Sequence, residues 1–256
     1  MIVGVETLLE QAIRVAEAVP ITNSRGVYSG LLAEYCLAVA LYFAKRFEKF
    51  RSNQDQRIWE RFTVGKLSGE TVGLLGFGSL GRATAHLFTA IGATVKAADK
   101  AEVARRRQMD PTSVRIYDAS NASELHEFLS QCDYVISSLP ATPETTHICS
   151  LAFFNSMKPS AVFISIGRGQ VVDEHALARA LTEGVIKGAA LDVFEVEPLP
   201  TESPLWSLKN CLISSHNAHF IEGWIKDSLE LFYLNLEKFI NKSFPLKNLV
   251  NRSVGY

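Results

Sequence analysis

The segment Gly76-Phe77-Gly78-Ser79-Leu80-Gly81 constrains the fold of this chain more than any other. It follows the apolar, β-rich run Thr71-Val72-Gly73-Leu74-Leu75 directly and opens a helical pattern through Ala83, Ala85, Leu87 and Phe88. A glycine turn between a strand and a helix gathers backbone N–H groups and the positive end of the helix dipole around one point, where a pyrophosphate can sit. Glycines at this spacing are a weak signal alone and a strong one in this context. Asp99 stands 18 residues after Gly81, at the end of the next β-rich run, near the offset at which a carboxylate takes the adenosine ribose hydroxyls. The residues therefore predict a dinucleotide site formed by Gly76, Gly78, Ser79, Leu80, Gly81 and Asp99. The plainer reading is a structural glycine turn beside a surface aspartate. Asp99 would repel a 2′-phosphate, which favours NAD. Lys100 and the run Arg105-Arg106-Arg107 work the other way, so NADP is the second candidate.

From residue 71 to residue 214 short β-rich runs alternate with helical patterns, the rhythm of a parallel sheet built from βαβ units. After the first run come Ala93 to Ala98, Ser113 to Tyr117, Asp133 to Ser137, Ala161 to Ser165, Ile186 to Leu191 and Cys211 to Ser214. Several are continuously apolar, as strands covered by helices on both faces are. The expected class is α/β, a doubly wound parallel sheet. Helical stretches flank it at Ser29 to Phe50 and Gly223 to Ile240. No linker or low-complexity tract marks a boundary, so the domain crossings are expected to be tight ones near residues 20 and 220.

Composition narrows the partners. With 26 basic and 27 acidic residues, net charge −1, nothing draws the chain to nucleic acid or an anionic membrane. The longest apolar stretch, Cys36 to Ala44, has nine residues, well short of the roughly 20 that span a bilayer. Cys36, Cys132, Cys149 and Cys211 show no metal-ligand or C-x-x-C spacing; reduced, structural thiols and no metal site are expected. Met1-Ile2-Val3-Gly4-Val5-Glu6 has neither the basic flank nor the apolar run of a secretory signal, so the cytosol is the expected location.

Three later segments place charged groups at the carboxyl edge of the expected sheet, the usual ligand side of such folds. In Ile166-Gly167-Arg168-Gly169-Gln170-Val171-Val172-Asp173 an arginine between two glycines can grip a carboxylate through two parallel hydrogen bonds. Leu191-Asp192-Val193-Phe194-Glu195-Val196-Glu197-Pro198 and Ser214-Ser215-His216-Asn217 each follow a strand. Reduction of a 2-oxo acid needs a carboxylate anchor, a proton donor and a hydride source. Arginine, histidine and NADH supply those three, and a carboxylate beside the histidine orients its ring. Arg168, Glu197 and His216 are the candidates. Glu195 rivals Glu197, His219 rivals His216, and a glycine-flanked arginine can simply cap a helix. His86, His126, His147 and His175 are expected to be structural or solvated.

These segments resemble the D-isomer-specific 2-hydroxyacid dehydrogenase family, through the glycine fingerprint, G-R-G-x-x-V-D, L-D-V-F-E-x-E-P and the strand-end histidine, in that order. The resemblance implies a Rossmann-type NAD-binding domain, with Arg168, Glu197 and His216 as catalytic arginine, glutamate and acid/base histidine. It further implies that Asp192 contacts the nicotinamide carboxamide, that Leu139, Pro140 and Thr142 line the cofactor, and that Ile166 and Arg168 border it. Thr22-Asn23-Ser24-Arg25-Gly26-Val27-Tyr28, with Ala33-Glu34 after it, is most similar to the glyoxylate and hydroxypyruvate reductase-like branch. Family members usually begin with a flavodoxin-like lobe, and the loop matching Val3 and Gly4, whose backbone meets the substrate carboxylate, normally follows several of its elements. The expectation is a remnant of that lobe at residues 1–20, a dinucleotide-binding domain at 21–219 and a C-terminal helix and tail at 220–256 returning to the lobe. The helix at 29–50 would mediate a homodimer. Ser165, where asparagine is frequent, and Ser215, where proline is frequent, are smaller departures. The competing readings are a dinucleotide-binding, corepressor-like interaction protein and an inactive truncated family member.

Overall fold

The computed structural model describes residues 20–100 and 114–251. Along the chain run helices α1 (Ser29–Lys45) and α2 (Phe47–Asp55), strand β1 (Thr71–Leu75), α3 (Ser79–Ala90), β2 (Thr94–Asp99), β3 (Arg115–Asp118), α4 (Ala122–Gln131), β4 (Tyr134–Ser137) and α5 (Leu151–Asn155). Then come β5 (Val162–Ser165), α6 (Glu174–Thr182), β6 (Gly188–Leu191), β7 (Cys211–Ile213) and α7 (Ile225–Ile240). The seven strands form one parallel sheet in the order β3-β2-β1-β4-β5-β6-β7. The doubly wound sheet is present as expected, with strand ends displaced by a residue or two from the apolar runs. Ser113 and the arginine run at 105–107 lie outside the described residues, as do Val3 and Gly4.

Strands β4, β5 and β6 are buried along their whole length, because each face of the sheet carries its own apolar layer. On one face Cys36, Val39, Ala40 and Phe43 of α1 and Ala85 and Phe88 of α3 meet Val72, Leu74, Ile136 and Ile164. On the other Phe128, Phe153, Phe154 and Leu177, from α4, α5 and α6, meet Leu75, Val135, Phe163 and Leu191. Phe163 packs edge-on against both Phe153 and Phe154, a geometry that aromatic quadrupoles favour.

The expected helix from Ser29 to Phe50 is broken. Arg46 takes a left-handed conformation (φ 57°) between α1 and α2. The chain returns there from 20 residues away: Gly65 N–H donates to Ala44 O at 2.7 Å and Lys45 Nζ to Gly65 O at 2.8 Å. The first bond occupies a carbonyl at the end of α1 that a continuing helix would have used itself, and the second ties the Lys45 side chain to the returning segment.

Two compact units result. One is Gly30–Ala218; the other joins the described residues up to Ser29 with those from His219 onward. The division falls at Ser29/Gly30 and Ala218/His219, where crossings near residues 20 and 220 were expected. In the smaller unit Thr22 bridges Leu249, and Asn248 Nδ2 donates to the carbonyls of Asn23 and Arg25. Its helix α7 leaves Phe232, Tyr233, Phe239 and Ile240 exposed.

Candidate active site

The strand order reverses between β1 and β4, and a crevice opens at the carboxyl ends of strands at such a point. Gly76 follows β1 directly with φ 94°, and the Ser138 hydroxyl after β4 donates to the carbonyls of Leu75 and Gly76. Two glycines of the fingerprint have different reasons. A Cβ on Gly81 would stand 2.4 Å from Gly76 O, so the fold itself demands glycine there. A Cβ on Gly78 would meet nothing within 4 Å, and its φ of −74° suits any residue. Protein packing does not explain Gly78; a group approaching the uncapped N-terminus of α3 does. The residues present thus fit a dinucleotide pyrophosphate. Asp99 ends β2, its Oδ2 accepting from Phe77 N–H at 2.8 Å and its Oδ1 from Lys100 N–H at 2.8 Å. The carboxylate is thereby fixed beside the glycine turn. Leu139, Pro140 and Thr142 follow β4, where Thr145 Oγ1 donates to Pro140 O at 2.6 Å and accepts from Thr142 N–H at 2.8 Å. Ile166, just past β5, donates its N–H to Ser137 O.

At the other end of the sheet the charged residues converge on neighbouring strands. Arg168 lies three residues past β5, and its Nη1 donates to Gly167 O. Gly169, next to it, is where two backbones cross: a Cβ there would stand 1.8 Å from the carbonyl carbon of Phe194. The turn carrying Arg168 therefore rests directly on the turn that follows β6. In that second turn Glu197 Oε1 accepts from Phe194 N–H at 3.0 Å, and Oε2 lies 2.7 Å from His216 Nδ1. The side chains of His216 and Glu197 remain 39% and 36% exposed, so the pair meets solvent or a ligand without leaving its place.

His216 is held by Asp192, which is only 1% exposed. His216 N–H donates to Asp192 O at 2.8 Å, and the Asp192 carboxylate accepts from Ser214 Oγ and from the N–H groups of Asn217 and Ala218. Those bonds fix His216 in a left-handed conformation, φ 54°, strained for an ordinary residue and maintained by its surroundings. Tyr35 Oη lies 2.6 Å from Ser214 Oγ. Since the Ser214 hydroxyl donates to Asp192, Tyr35 donates to Ser214. Burial pushes the Tyr35 hydroxyl up to about 12, against the lowering effect of its bond to Ser214 and with the Asp192 charge adding to the rise. It stays a proton-bearing donor across neutral pH. Tyr35 lies on α1, far in sequence from every strand-end segment, and only its place in the helix after Ala33-Glu34 hinted at it.

The structure separates the rival residues. Glu195 Oε1 lies 3.0 Å from His147 Nε2, and Glu195 N–H donates to Glu174 Oε1 at 2.7 Å. Glu195 thus braces the turn while Glu197 faces the histidine. His147, expected to be structural or solvated, meets Glu195 of the turn after β6. Burial, then the neighbouring charges of Glu195 and Glu197, pushes the Glu174 carboxyl upward against the hydrogen bond it accepts. His219 belongs to the smaller unit, where its ring packs against Tyr28 and Trp224. Burial raises the thiols of Cys36, Cys132, Cys149 and Cys211, which disfavours the thiolate that nucleophilic or metal chemistry requires. Among the described residues no group of three or more His, Cys, Asp or Glu is placed to hold a metal, and no helix is long and apolar enough to cross a membrane.

The chain is 32% identical over 255 residues to a glyoxylate reductase of Thermococcus gammatolerans, covering 96% of this chain and 73% of that one. It is 31% identical over 220 residues to glyoxylate/hydroxypyruvate reductase A of Photorhabdus laumondii, covering 84% and 68%. A D-isomer-specific 2-hydroxyacid dehydrogenase of Xanthobacter autotrophicus, solved with NADPH and MES, superposes with TM-score 0.84 at 30% identity, over 99% of this chain and 100% of that chain. An NADPH-dependent glyoxylate/hydroxypyruvate reductase of Sinorhizobium meliloti, solved with NADP and sulfate, gives 0.86 at 26% identity, over 99% and 78%. Residues 37–218 match the description "D-isomer specific 2-hydroxyacid dehydrogenase, NAD binding domain", so they form an NAD-binding domain of Rossmann type, and the chain belongs to the D-isomer-specific 2-hydroxyacid dehydrogenase family.

Proposed function

We propose that this protein reduces a small 2-oxo acid of the glyoxylate or hydroxypyruvate type to the 2-hydroxy acid, with NADH as its preferred coenzyme. The observation that carries the reading is the His216–Glu197 pair, 2.7 Å apart, with the turn that carries Arg168 resting on the turn that follows β6, in the same sheet that carries the glycine turn. When bound, the reduced nicotinamide supplies the hydride to the carbonyl carbon. Arg168 grips the substrate carboxylate with its planar fork. Glu197 engages Nδ1 of His216, which sets the ring so that Nε2 delivers a proton to the carbonyl oxygen as negative charge develops there. One carbonyl thus gains a hydride and a proton, and His216 is reprotonated from solvent. Asp192 acts on His216 through the loop it holds and borders the nicotinamide; Gly76, Gly78, Ser79, Leu80 and Gly81 take the pyrophosphate, and Asp99 the ribose hydroxyls.

The two relatives solved with NADP or NADPH support acceptance of the phosphorylated coenzyme, while Asp99 at the end of β2 favours the other. Steady-state assays with glyoxylate and hydroxypyruvate are expected to show acid-dependent oxidation of NADH, and fluorescence titration to show tighter binding of NADH than of NADPH. Coenzyme binding without oxidation by either acid would favour the interaction-protein reading. Equal or tighter NADPH binding would remove the role given to Asp99.

Self-association belongs to the same proposal. Trp59 is 98% exposed, and Phe47 and Phe50 of α2 are half exposed, an apolar surface that a second copy would cover. Sedimentation is expected to give a homodimer; a monomer at micromolar concentration would contradict it.

A further inference from the structure

Lys100 and Glu144 meet at the mouth of the crevice. Lys100 follows Asp99 at the end of β2, and Glu144 lies two residues past Thr142 on the loop after β4. Their side chains approach to 3.9 Å, Nζ to Oε2. Strands β2 and β4 are separated by β1, about 10 Å apart at the usual strand spacing, so the pair reaches over the strand that leads into Gly76. The Thr142 hydroxyl first, then Glu144's own backbone N–H, and after them the Lys100 charge, hold the Glu144 carboxyl below the usual range. With 47% and 69% of the two side chains exposed, the pair contributes little to stability. Its position matters more than its strength.

We propose that Glu144 is a coenzyme-specificity residue, which pairs with the Lys100 ammonium next to the fixed Asp99 carboxylate and keeps that ammonium from serving a 2′-phosphate on the adenosine ribose. The three side chains sum to −1, formed by one positive and two negative charges. A 2′-phosphate brings about −2 more at neutral pH and is repelled, whereas a ribose carrying only hydroxyls brings no charge. The inference rests on reading the glycine turn and Asp99 as a dinucleotide site, and it deepens that reading by assigning coenzyme choice to a loop two strands away.

The test is a titration of the full chain with NADH and NADPH at low ionic strength, comparing the wild type, Glu144→Gln, and Glu144→Gln combined with Lys100→Ala. Glu144→Gln is expected to shift the ratio of affinities toward NADPH by about three- to tenfold, with the shift shrinking as salt is raised. Adding Lys100→Ala is expected to abolish the gain. A ratio unchanged in Glu144→Gln, or a gain that survives removal of Lys100, overturns the inference while leaving the dinucleotide site standing. Failure of the wild type to bind NADH at all would instead overturn the site and this inference with it.

Discussion

Replacing Arg168 or His216 with alanine is expected to lower kcat/KM for the 2-oxo acid by on the order of a hundredfold or more in each case. The two losses should differ in kind. Arg168→Ala removes the carboxylate grip, so its effect should fall heavily on KM, and lysine should restore it only in part because an ammonium lacks the two-pronged geometry. His216→Ala removes the proton donor and should fall on kcat. Neither side chain supports the core. His216 is 39% exposed, and the bonds that hold its loop run through Asp192 to backbone groups and Ser214. Circular dichroism should therefore stay near that of the wild type, and near-normal turnover in either variant would contradict the role assigned to it.

The second large effect is a contrast within one loop. Gly78→Val is expected to leave thermal stability almost unchanged and to weaken NADH binding by at least about tenfold, because its side chain would occupy the approach to the N-terminus of α3. Gly81→Val is expected to destabilise the fold by about 1–3 kcal/mol or more, since its Cβ would press on Gly76 O at 2.4 Å. Thermal melts and coenzyme titrations of the two variants check this directly. A Gly78→Val protein that melts early yet binds normally would show that the glycine serves packing and not a ligand.

That contrast also shows what the amino-acid pattern could and could not carry. The strand, glycine turn and helix around residues 71–90 were legible because each is a local signal: an apolar run, a turn residue, a 3.6-residue period. The sheet followed from repetition of the same signals. The break at Arg46 was not legible, because the group that takes the Ala44 carbonyl is Gly65, 21 residues further on. The choice between Glu195 and Glu197 could not be made from spacing either. Both follow β6 within a few residues, and only the partners, Glu174 and His147 for one and His216 for the other, distinguish a brace from a ring-orienting carboxylate. Tyr35 was hidden for a related reason: the chain from its hydroxyl through Ser214 to Asp192 joins a helix to two strand ends far away in sequence.

The most direct measurement is a crystal structure of the protein with oxidised coenzyme and oxamate, a 2-oxo acid analogue that resists reduction. The pyrophosphate is expected against Gly78 and the N-terminus of α3, the oxamate carboxylate on the Arg168 guanidinium, and its carbonyl oxygen within hydrogen-bond reach of His216 Nε2 while Nδ1 stays on Glu197. Oxamate bound away from Arg168, or His216 turned from its carbonyl oxygen with coenzyme in place, would contradict that arrangement.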